Sequence, residues 1–456
     1  MSTFLLPLDP ITSLDAYLSA GGRLGVEAAQ RIGPAATIDT ITAAGLRGRG
    51  GGGFPTGRKW AGIAAQTGTR RYVVCNAAEG EPGTFKDRAL LRANPYQLVE
   101  GLIIAAFAVT ADEAFICLKA SFEREIEALT RAVQEMQQSG ICTDCIVNIV
   151  AGPDEYLFGE EKAMLEVIEG RPPLPRLFPP YEHGLFASGP NEGWESSAPR
   201  ARGAGPNPTL VNNLETLSNV PHILAKGPDW FRSMGTPESP GTVVATVVGD
   251  VVAPDVGEIE LGTPLRAVID AVGSGVQPGR AVKAVFSGVA NPVVTAGQLD
   301  VPVTYEGFSA IGSGMGAAGF IVYDDTACMV DAAYRMSRFL YIESCGQCPP
   351  CKLGSGEITS LLERIETGAG EDTDLATMQM WLDRVTDGNR CYLAVEERLV
   401  VSSILSAFTD EFVDHIANHR CPRPERRPIP KLLDLANGKA TYDERFWLKR
   451  PDWTYA

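Results

Sequence analysis

The chain has 456 residues, of which 45% are hydrophobic and 21% are charged. That balance is typical of folded domains and unlike that of disordered chains. At roughly 150 residues per domain, the length predicts two to four domains. The formal net charge is −16, and the sequence contains no long basic run. Nucleic acid is therefore not expected as a partner, because its binding needs a concentrated positive surface.

The sequence gives no sign of secretion or of membrane insertion. The opening segment MSTFLLPLDP has no basic region and only a short apolar stretch, unlike a signal peptide. The longest clean apolar run, 102–109, is far shorter than the roughly 20 residues that cross a bilayer. Ten cysteines in such a chain are more typical of reduced thiols and cofactor ligands than of disulfides. We therefore expect a soluble cytoplasmic protein, which would reach a membrane surface only through partners.

The first 240 residues alternate between helical and strand-like patterns. Short helices are expected before residue 45, and a glycine-dense loop follows over 48–57. The remaining elements are predicted as strands at 72–75, 114–118 and 146–150 and helices at 97–109, 121–138 and 159–169. Such alternation is typical of an α/β domain. The stretch 171–208, rich in proline, glycine and arginine, is predicted to be an ordered excursion over the surface or a covering loop.

The pattern changes at Gly241. Strands are predicted at 242–248, 257–261 and 282–286, with a helix at 264–272. After Cys328, apolar residues recur at helical spacing over 329–340 and again over 401–416. We therefore expect an α/β domain over 1–240, a small α+β domain over 241–328, a helical domain over 329–420 and an extended C-terminal tail over 421–456.

Four cysteines near the C-terminus predict a metal centre. Cys345, Cys348 and Cys351 follow a C-x2-C-x2-C spacing, and Cys391 follows forty positions later. Iron–sulfur clusters are usually held by four cysteine thiolates, and three close thiols with one distant thiol suit a [4Fe–4S] cluster. Zinc also accepts four thiolates, although two C-x2-C pairs are its usual pattern. A disulfide-bonded knuckle would need an oxidising compartment.

A glycine-rich loop is the second motif. Residues 47–60, RGRGGGGFPTGRKW, contain six glycines, which allow the backbone to approach a phosphate or a flat ring and to present its N–H groups. Arg49, Arg58 and Lys59 add positive charge nearby. The G-x-G-x-x-G match within the loop is weak, because a strand should precede it. A flexible linker is the alternative, but the embedded Phe54 and Trp60 argue against it.

Three further segments carry polar groups that could meet a nucleotide. Residues 75–88, CNAAEGEPGTFKDR, follow a predicted strand and could bond a ribityl chain. Residues 155–162, EYLFGEEK, place two adjacent carboxylates at a helix start, where they could also merely complement the helix dipole. Residues 209–216, TLVNNLET, offer paired asparagines as donors and acceptors for a phosphate or a flavin edge.

Taken together and in this order, these segments resemble the flavin- and NADH-binding subunit of respiratory complex I. The same module occurs in NAD-linked hydrogenases and NAD-dependent formate dehydrogenases. The resemblance covers about residues 30–420 and rests on five motifs, GFPTGRKW, CNAAEGEPGTFKDR, YLFGEE, VNNLET and SCGQCPPC. It implies a Rossmann-like FMN domain, a β-grasp domain of the soluble-ligand-binding type, and a helical bundle that carries one [4Fe–4S] cluster.

The resemblance also implies roles for individual residues. The positions expected to contact FMN are Gly48, Gly50, Lys59, Asn76, Glu79, Tyr156, Gly159, Glu160, Val211, Asn212, Asn213 and Thr216. Those expected to face the nicotinamide nucleotide are Phe54, Glu81 and Glu161, with Glu161 positioning the nicotinamide as the catalytic residue. The expected cluster ligands are Cys345, Cys348, Cys351 and Cys391.

The activity implied is that of an oxidoreductase subunit of the NADH dehydrogenase, or diaphorase, type. It would pass electrons between NAD(P)H and a partner protein through FMN and the cluster. A [2Fe–2S] thioredoxin-like subunit and a larger oxidoreductase assembly are the expected partners. The alternative is an FMN and [4Fe–4S] relay that has lost nicotinamide binding and exchanges electrons with a ferredoxin, a flavoprotein or a catalytic oxidoreductase subunit.

Three positions depart from the family pattern and motivate that alternative. Ala78 stands where an aspartate usually lies beside the flavin, and Gly62 stands where a phenylalanine usually stacks on the adenine. Phe178 stands where a lysine usually meets the nucleotide. Loss of a stacking ring removes about 1–3 kcal/mol of binding, although Phe178 could provide stacking in place of Gly62.

The remaining cysteines and histidines show no pattern of their own. Cys142 and Cys145 form an isolated C-x2-C pair that we interpret as incidental thiols. Four others, Cys75, Cys117, Cys328 and Cys421, are predicted to be core or tail residues. His415 and His419 lie four positions apart, and we expect them on a solvated helix face.

Overall fold

The computed structural model describes residues 3–66, 70–142, 145–187, 205–423 and 425–455. The chain divides into two units. The first unit comprises Met1–Glu79, Lys86–Val244 and Glu258–Gly262, and the second comprises Gly80–Phe85, Ala245–Gly257 and Thr263–Ala456. The predicted segment 188–204 of the covering loop lies outside the described residues.

The first unit is an α/β structure. Its helices are α1 (Leu14–Ser19), α2 (Leu24–Ile32), α3 (Pro34–Ala44), α4 (Thr56–Ala64), α5 (Lys86–Ala93), α6 (Pro95–Val109), α7 (Glu123–Gln138), α8 (Glu161–Ile168), α9 (Leu214–Lys226) and α10 (Pro228–Arg232). Its strands are β1 (Tyr72–Asn76), β2 (Glu113–Lys119), β3 (Ile146–Gly152) and β4 (Thr209–Asn213). The strands and helices predicted for this region are confirmed, with ends shifted by a few residues.

The four strands form a parallel sheet in the order β3-β2-β1-β4. The chain runs outward from β1 through β2 to β3 and then returns to the other side of β1 as β4. The strand order therefore reverses between β1 and β4, and ligands of open α/β sheets bind outside the carboxyl ends of the strands at such a reversal. Asn76 and Asn213 are paired in register at those two ends.

Helix α6 is buried along nearly its whole length. Asn94 caps its N-terminus by accepting a hydrogen bond from the Gln97 N–H at 3.4 Å, and Pro95 occupies its first turn. A Cβ at Gly101 would lie 2.0 Å from the Leu217 carbonyl oxygen of α9. Only glycine therefore allows these two helices to approach so closely, which explains this glycine in an otherwise apolar helix.

A mixed sheet belongs mainly to the second unit. Its elements are β5 (Thr242–Gly249), β6 (Asp255–Glu260), α11 (Leu265–Gly273), β7 (Val282–Ser287), β8 (Val294–Thr295), α12 (Tyr305–Ala310) and β9 (Gly319–Asp324). The first three residues of β5 and the last three of β6, however, are assigned to the first unit. The strand order is β6-β5-β9-β7-β8, with β5 and β9 parallel and β7 antiparallel to both of its neighbours. The fully buried strand β9 was missing from the sequence prediction, because its short apolar run has no alternation.

The helical part of the second unit follows directly. It consists of α13 (Met329–Glu343), α14 (Pro349–Glu366), α15 (Asp374–Arg384), α16 (Leu393–Ala407) and α17 (Thr409–Asn418). The apolar stripe predicted over 401–416 belongs to two helices, because the backbone leaves the helical region at Phe408 (φ −128°, ψ 33°). Among the described residues, no helix combines the length and the hydropathy needed to cross a membrane.

The C-terminal segment differs from the extended tail expected there. It forms a two-stranded antiparallel hairpin of β10 (Leu432–Ala436) and β11 (Lys439–Tyr442). Beyond the hairpin, the Arg338 guanidinium lies 4.1 Å from the centre of the Trp447 ring, and Lys449 forms a buried ion pair with Glu343 at 2.9 Å. These contacts hold the segment against α13. The predicted domain boundaries themselves stay predictions.

Candidate functional site

The carboxyl ends of β1 and β4 gather the predicted polar residues of the first unit. The Asn76 amide donates to the Gly159 carbonyl at 2.7 Å, and its side-chain oxygen accepts from the Ala78 N–H at 3.2 Å. The Asn213 amide donates to Asp87 at 2.8 Å and to the Asn76 carbonyl at 3.4 Å. Asn213 also caps α9. Segments distant in sequence therefore meet at the reversal point of the sheet.

The glycine loop lies beside this edge. A Cβ added at Gly50 would be 3.0 Å from Asn213 Cβ, and the Arg49 N–H donates to Thr216 Oγ1 at 2.8 Å. The structure records no hydrogen bond from the backbone N–H groups of residues 50–53 to any described residue. Unpaired amides in a glycine cradle fit the phosphate and ring oxygens of FMN, so the loop suits this cofactor.

Arg49 does not supply charge to a ligand as the sequence suggested. Its guanidinium is buried and donates to the carbonyl oxygens of Arg47, Pro240 and Thr242. This side chain instead anchors the loop. Arg58 is also engaged, since its guanidinium carbon lies 5.6 Å from the centre of the half-exposed Phe54 ring.

The start of α8 places two carboxylates in different settings. Glu160 is the N-cap residue and accepts from the N–H groups of Lys162 and Ala163 at 2.9 Å each. Burial raises the pKa of Glu160 to about 7. Glu161 is more exposed and pairs with Lys59 of α4 at 3.2 Å. The predicted FMN and nicotinamide residues of α4 and α8 are thus adjacent.

A network of buried charged side chains lies next to the carboxyl ends of β1 and β4. Lys86 Nζ lies 2.8 Å from Asp87, 2.9 Å from Glu215 and 3.1 Å from Asn213 Oδ1. Burial alone would lower the pKa of Lys86, but the carboxylates of Asp87 and Glu215 raise it above its usual range. Glu79 accepts from the Asp87 and Arg88 N–H groups, and burial raises its pKa. The sequence prediction omitted Lys86, Asp87 and Glu215, although all three lie within the quoted motifs.

Further contacts fix the adjoining residues. The buried Trp60 Nε1–H donates to Asn212 Oδ1 at 2.9 Å, so this asparagine side chain is committed to the fold. Val211 is buried in β4, and Tyr156 opens the short 3-10 helix Tyr156–Gly159. Glu81 belongs to the second unit, where its carboxylate accepts from the Val289 N–H at 2.5 Å.

The three departures from the family pattern lie in different environments. A Cβ at Gly62 would meet nothing within 4 Å, so α4 has open space at this position. Ala78 is buried in an apolar cluster with Val74, Phe115 and Phe158. Phe178 is 38% exposed.

The four predicted cluster cysteines lie on two segments of the second unit. Cys345 and Cys348 are partly exposed before α14, Cys351 is buried in its first turn, and Cys391 precedes α16. The Arg390 guanidinium donates to Gln347 Oε1 at 3.1 Å, which joins the two segments. Ser344 Oγ lies 3.6 Å from Cys351 Sγ, and Gln347 Nε2 donates to Cys345 Sγ at 3.7 Å. Cys345 and Cys351 therefore each have a neighbouring hydrogen-bond donor of the kind that tunes bound thiolates.

The four thiols are not gathered closely enough for a single ion. Within the described residues, no three of these thiols lie within 4.8 Å of one another. Zinc with bonds of about 2.3 Å would draw its sulfur ligands to about 4 Å from one another, so this arrangement gives the zinc alternative no support.

Comparison with known proteins gives the family. Residues 41–222 match the family model of the Nuo51 FMN-binding domain, and residues 331–415 match that of the NADH-ubiquinone oxidoreductase-F iron-sulfur binding region. An NADH-quinone oxidoreductase subunit of Rhizobium meliloti is 37% identical over 421 residues, which cover 90% of this chain and 96% of that protein. The chain belongs to the NADH-quinone oxidoreductase-F family.

The NADH-quinone oxidoreductase-F family also reaches into hydrogenases. HndC, a component of the NADP-reducing hydrogenase of Solidesulfovibrio fructosivorans, is 32% identical over 424 residues, covering 91% of this chain and 83% of HndC. The crystal structure of an NAD+-reducing [NiFe]-hydrogenase in the H2-reduced state matches with a TM-score of 0.77 and 31% identity. That match covers 89% of this chain and 67% of the hydrogenase chain.

These matches confirm the family resemblance, the α/β fold class with its C-terminal helical region, and the FMN and iron–sulfur cofactors. The FMN-binding match includes the glycine loop, Asn76, the start of α8 and Asn213. The iron–sulfur match includes the cysteine quartet. The roles of individual residues stay predictions.

Proposed function

We propose that this member of the NADH-quinone oxidoreductase-F family passes electrons between NAD(P)H and a partner protein through FMN and one [4Fe–4S] cluster. The observation that carries the proposal is the meeting of four separate motifs at the reversal point between β1 and β4. Unpaired glycine amides, Asn76, Asn213 and the Lys59–Glu161 pair lie at that edge. The names of the relatives, which are NADH-quinone oxidoreductase and hydrogenase subunits, support the same function.

When bound, FMN exchanges two electrons with a nicotinamide and single electrons with an iron–sulfur centre. The residues of the chain contribute position and charge. The amides of residues 50–53 hold the cofactor, since they combine donors with close backbone approach, and the Asn213 side chain fixes the edge beside them through its bonds to Asp87 and Asn76. Glu161 orients the nicotinamide, and Lys59 fixes the direction of the Glu161 carboxylate at 3.2 Å.

The cluster ligands are Cys345, Cys348, Cys351 and Cys391. Two of the first three thiols are partly exposed, so the centre would lie near a surface from which an electron can leave. We further propose that the acceptor is a [2Fe–2S] thioredoxin-like subunit within a larger oxidoreductase complex, and that the chain works in the cytoplasm. Isolation of the native complex from its source under anaerobic conditions, followed by mass spectrometry, tests for that subunit.

The relay without nicotinamide is not favoured, because the relatives are named for NADH or NADP chemistry. The test is anaerobic addition of NADH or NADPH while flavin absorbance is recorded. The proposal predicts that one of the two nucleotides bleaches the flavin within the mixing time. Flavin that stays oxidised with both nucleotides, but is reduced by dithionite, would reject nicotinamide use and leave FMN binding intact.

A further inference from the structure

A second group of metal-ligating side chains lies apart from the cysteine quartet. Cys328 Sγ, His415 Nε2 and Cys421 Sγ belong to a set of potential ligand atoms that all lie within 4.8 Å of one another. The distance from Cys328 Sγ to His415 Nε2 is 3.3 Å. Cys328 and His415 are buried, and Cys421 is partly exposed. The sequence interpretation of His415 as part of a solvated face is therefore wrong.

Each ligand comes from a different element of the second unit. Cys328 is the N-cap residue of α13, His415 lies in the last turn of α17, and Cys421 lies three residues after the end of α17. Cys328 thus meets two residues that lie 87 and 93 positions later in the sequence. The two thiols and the imidazole are all side chains that bind metal ions.

Two hydrogen bonds around the group suit a cation, whereas the Cys421 thiol donates to the Arg423 carbonyl at 3.0 Å. His415 Nδ1 lies 2.6 Å from the Glu411 carbonyl oxygen, and a carbonyl can only accept, so Nδ1 carries the proton. The lone pair of Nε2 therefore points toward Cys328 Sγ. Metal-binding histidines are typically held in this way through their second nitrogen. The Asp331 N–H donates to Cys328 Sγ at 3.4 Å, a contact that a metal-bound thiolate would keep.

We propose that Cys328, His415 and Cys421 bind one zinc ion. Two thiolates with one imidazole are a ligand set that zinc prefers, and tetrahedral bonds of about 2.0–2.3 Å place ligand atoms about 3.5 Å apart. The separation of Cys328 Sγ from His415 Nε2, 3.3 Å, is close to that value, and the other pairs of ligand atoms lie within 4.8 Å. Within the part of the chain that the structure describes, no fourth side chain joins the group, so a water completes the tetrahedron.

The ion would connect the start of α13 with the end of α17 and the segment that follows. That segment also makes polar contacts near the surface, such as Arg427 to Asp250 at 2.7 Å and Arg423 to Glu411 at 3.3 Å. Metal binding that stabilises only the folded state raises its thermal stability. The ion would thus hold these parts of the second unit together, and it takes no part in the proposed electron transfer.

The test is elemental analysis of the full chain purified anaerobically without a metal-affinity tag. We expect about one zinc per chain in addition to cluster iron, falling at least tenfold in Cys421→Ser and His415→Gln. His419→Asn and Cys142→Ser are matched controls that keep zinc, because neither residue belongs to the group. Loss of zinc with iron and FMN retained separates this proposal from the proposed function.

A measurement on the unmodified protein covers the case in which a variant fails to fold. X-ray absorption at the zinc edge should show two sulfur neighbours at about 2.3 Å and nitrogen or oxygen neighbours at about 2.0–2.1 Å. Wild-type protein without zinc, zinc retained in both ligand variants, another stoichiometric metal at these residues, or a Cys328–Cys421 disulfide in the anaerobic protein would each overturn the proposal.

Discussion

The Lys59 ammonium lies 3.2 Å from the Glu161 carboxylate and joins α4 to the first turn of α8. Both side chains are about one third exposed, so the pair contributes less than about 1 kcal/mol to folding. Its value is positional, because it holds one carboxylate beside the proposed flavin site. Stability and activity should therefore respond differently when the pair is broken.

Glu161→Gln is expected to lower kcat/KM for the nicotinamide nucleotide by about 10–100-fold, since a charge-assisted hydrogen bond contributes about 1.5–3 kcal/mol. The melting temperature should change by no more than a few degrees. Stopped-flow flavin reduction and thermal unfolding measure the two effects. Glu155→Gln, six positions upstream in the same segment, is the control and should react like the wild type. Equal rates of flavin reduction in the two variants would show that Glu161 has no role in the reaction with the nucleotide.

Asn213→Ala should release FMN and destabilise the first unit. The substitution removes the cap of α9 and the donor to Asp87 at 2.8 Å. We expect FMN occupancy to fall at least tenfold and the unfolding free energy to fall by about 1–3 kcal/mol. Flavin quantification and urea unfolding are the measurements. Asn418→Ala, on the exposed end of α17, should leave both unchanged. Full flavin occupancy in Asn213→Ala would contradict the proposed FMN site at the carboxyl ends of β1 and β4.

Gly62→Phe should restore a ring where the family usually has one. The position is open, and base–aromatic stacking is worth about 1–3 kcal/mol, so the Kd for the nucleotide should fall about 5–100-fold. Gly62→Ala is the control, because it raises the helix propensity at this position of α4 without adding a ring. Calorimetric titration with NADH separates the two variants. Identical affinities would show that adenine does not lie beside α4.

The raised pKa of Glu160 should make the free energy of unfolding decrease as pH rises. Its folded pKa is raised to about 7 from a usual value of 4.5, so between these pH values the folded state holds a proton that the unfolded state has lost. The unfolding free energy therefore decreases as pH rises from 4.5 to 7, by up to about 1.4 kcal/mol per unit. Relative to the wild type, Glu160→Gln should gain stability across this window in urea unfolding. A constant difference between the two proteins would refute the raised pKa.

Cys351→Ser should remove the cluster and leave the flavin. Cys351 is the most buried thiol of the quartet, and loss of one of four ligands should reduce cluster iron from about four atoms per chain to nearly none. Iron and flavin analysis test this outcome. Cys117→Ser, at a buried cysteine of β2, should keep its iron. Four irons per chain in Cys351→Ser would show that the cluster is bound by other residues.

Much of the first unit could be predicted from the sequence, because short segments of the chain carry the patterns that determine its strands, helices and loops. The strand at Tyr72–Asn76, the glycine loop and the carboxylates at the start of α8 are each readable within about fifteen residues. The parallel pairing of the strands is also consistent with the alternation, since parallel strands need crossover connections.

The parts that were missed depend on contacts between distant residues. Arg49 reads as a ligand-binding cation, but its guanidinium donates to three backbone carbonyls. Lys86 and Glu215 lie 129 positions apart and form a buried pair. Cys328 and His415 are 87 positions apart, and no spacing rule joins them. The local sequence signals for this group were weak: Cys328 precedes a predicted helix, and His415 lies four residues after Glu411.

Electron paramagnetic resonance after anaerobic addition of one nicotinamide nucleotide tests the proposed path of electrons through the flavin to the cluster. We expect the signal of a reduced [4Fe–4S] cluster in protein that contains FMN. The same signal should be absent from FMN-depleted protein until the flavin is restored. A cluster that stays oxidised in FMN-replete protein under NADH and NADPH, yet is reduced by dithionite, would contradict it.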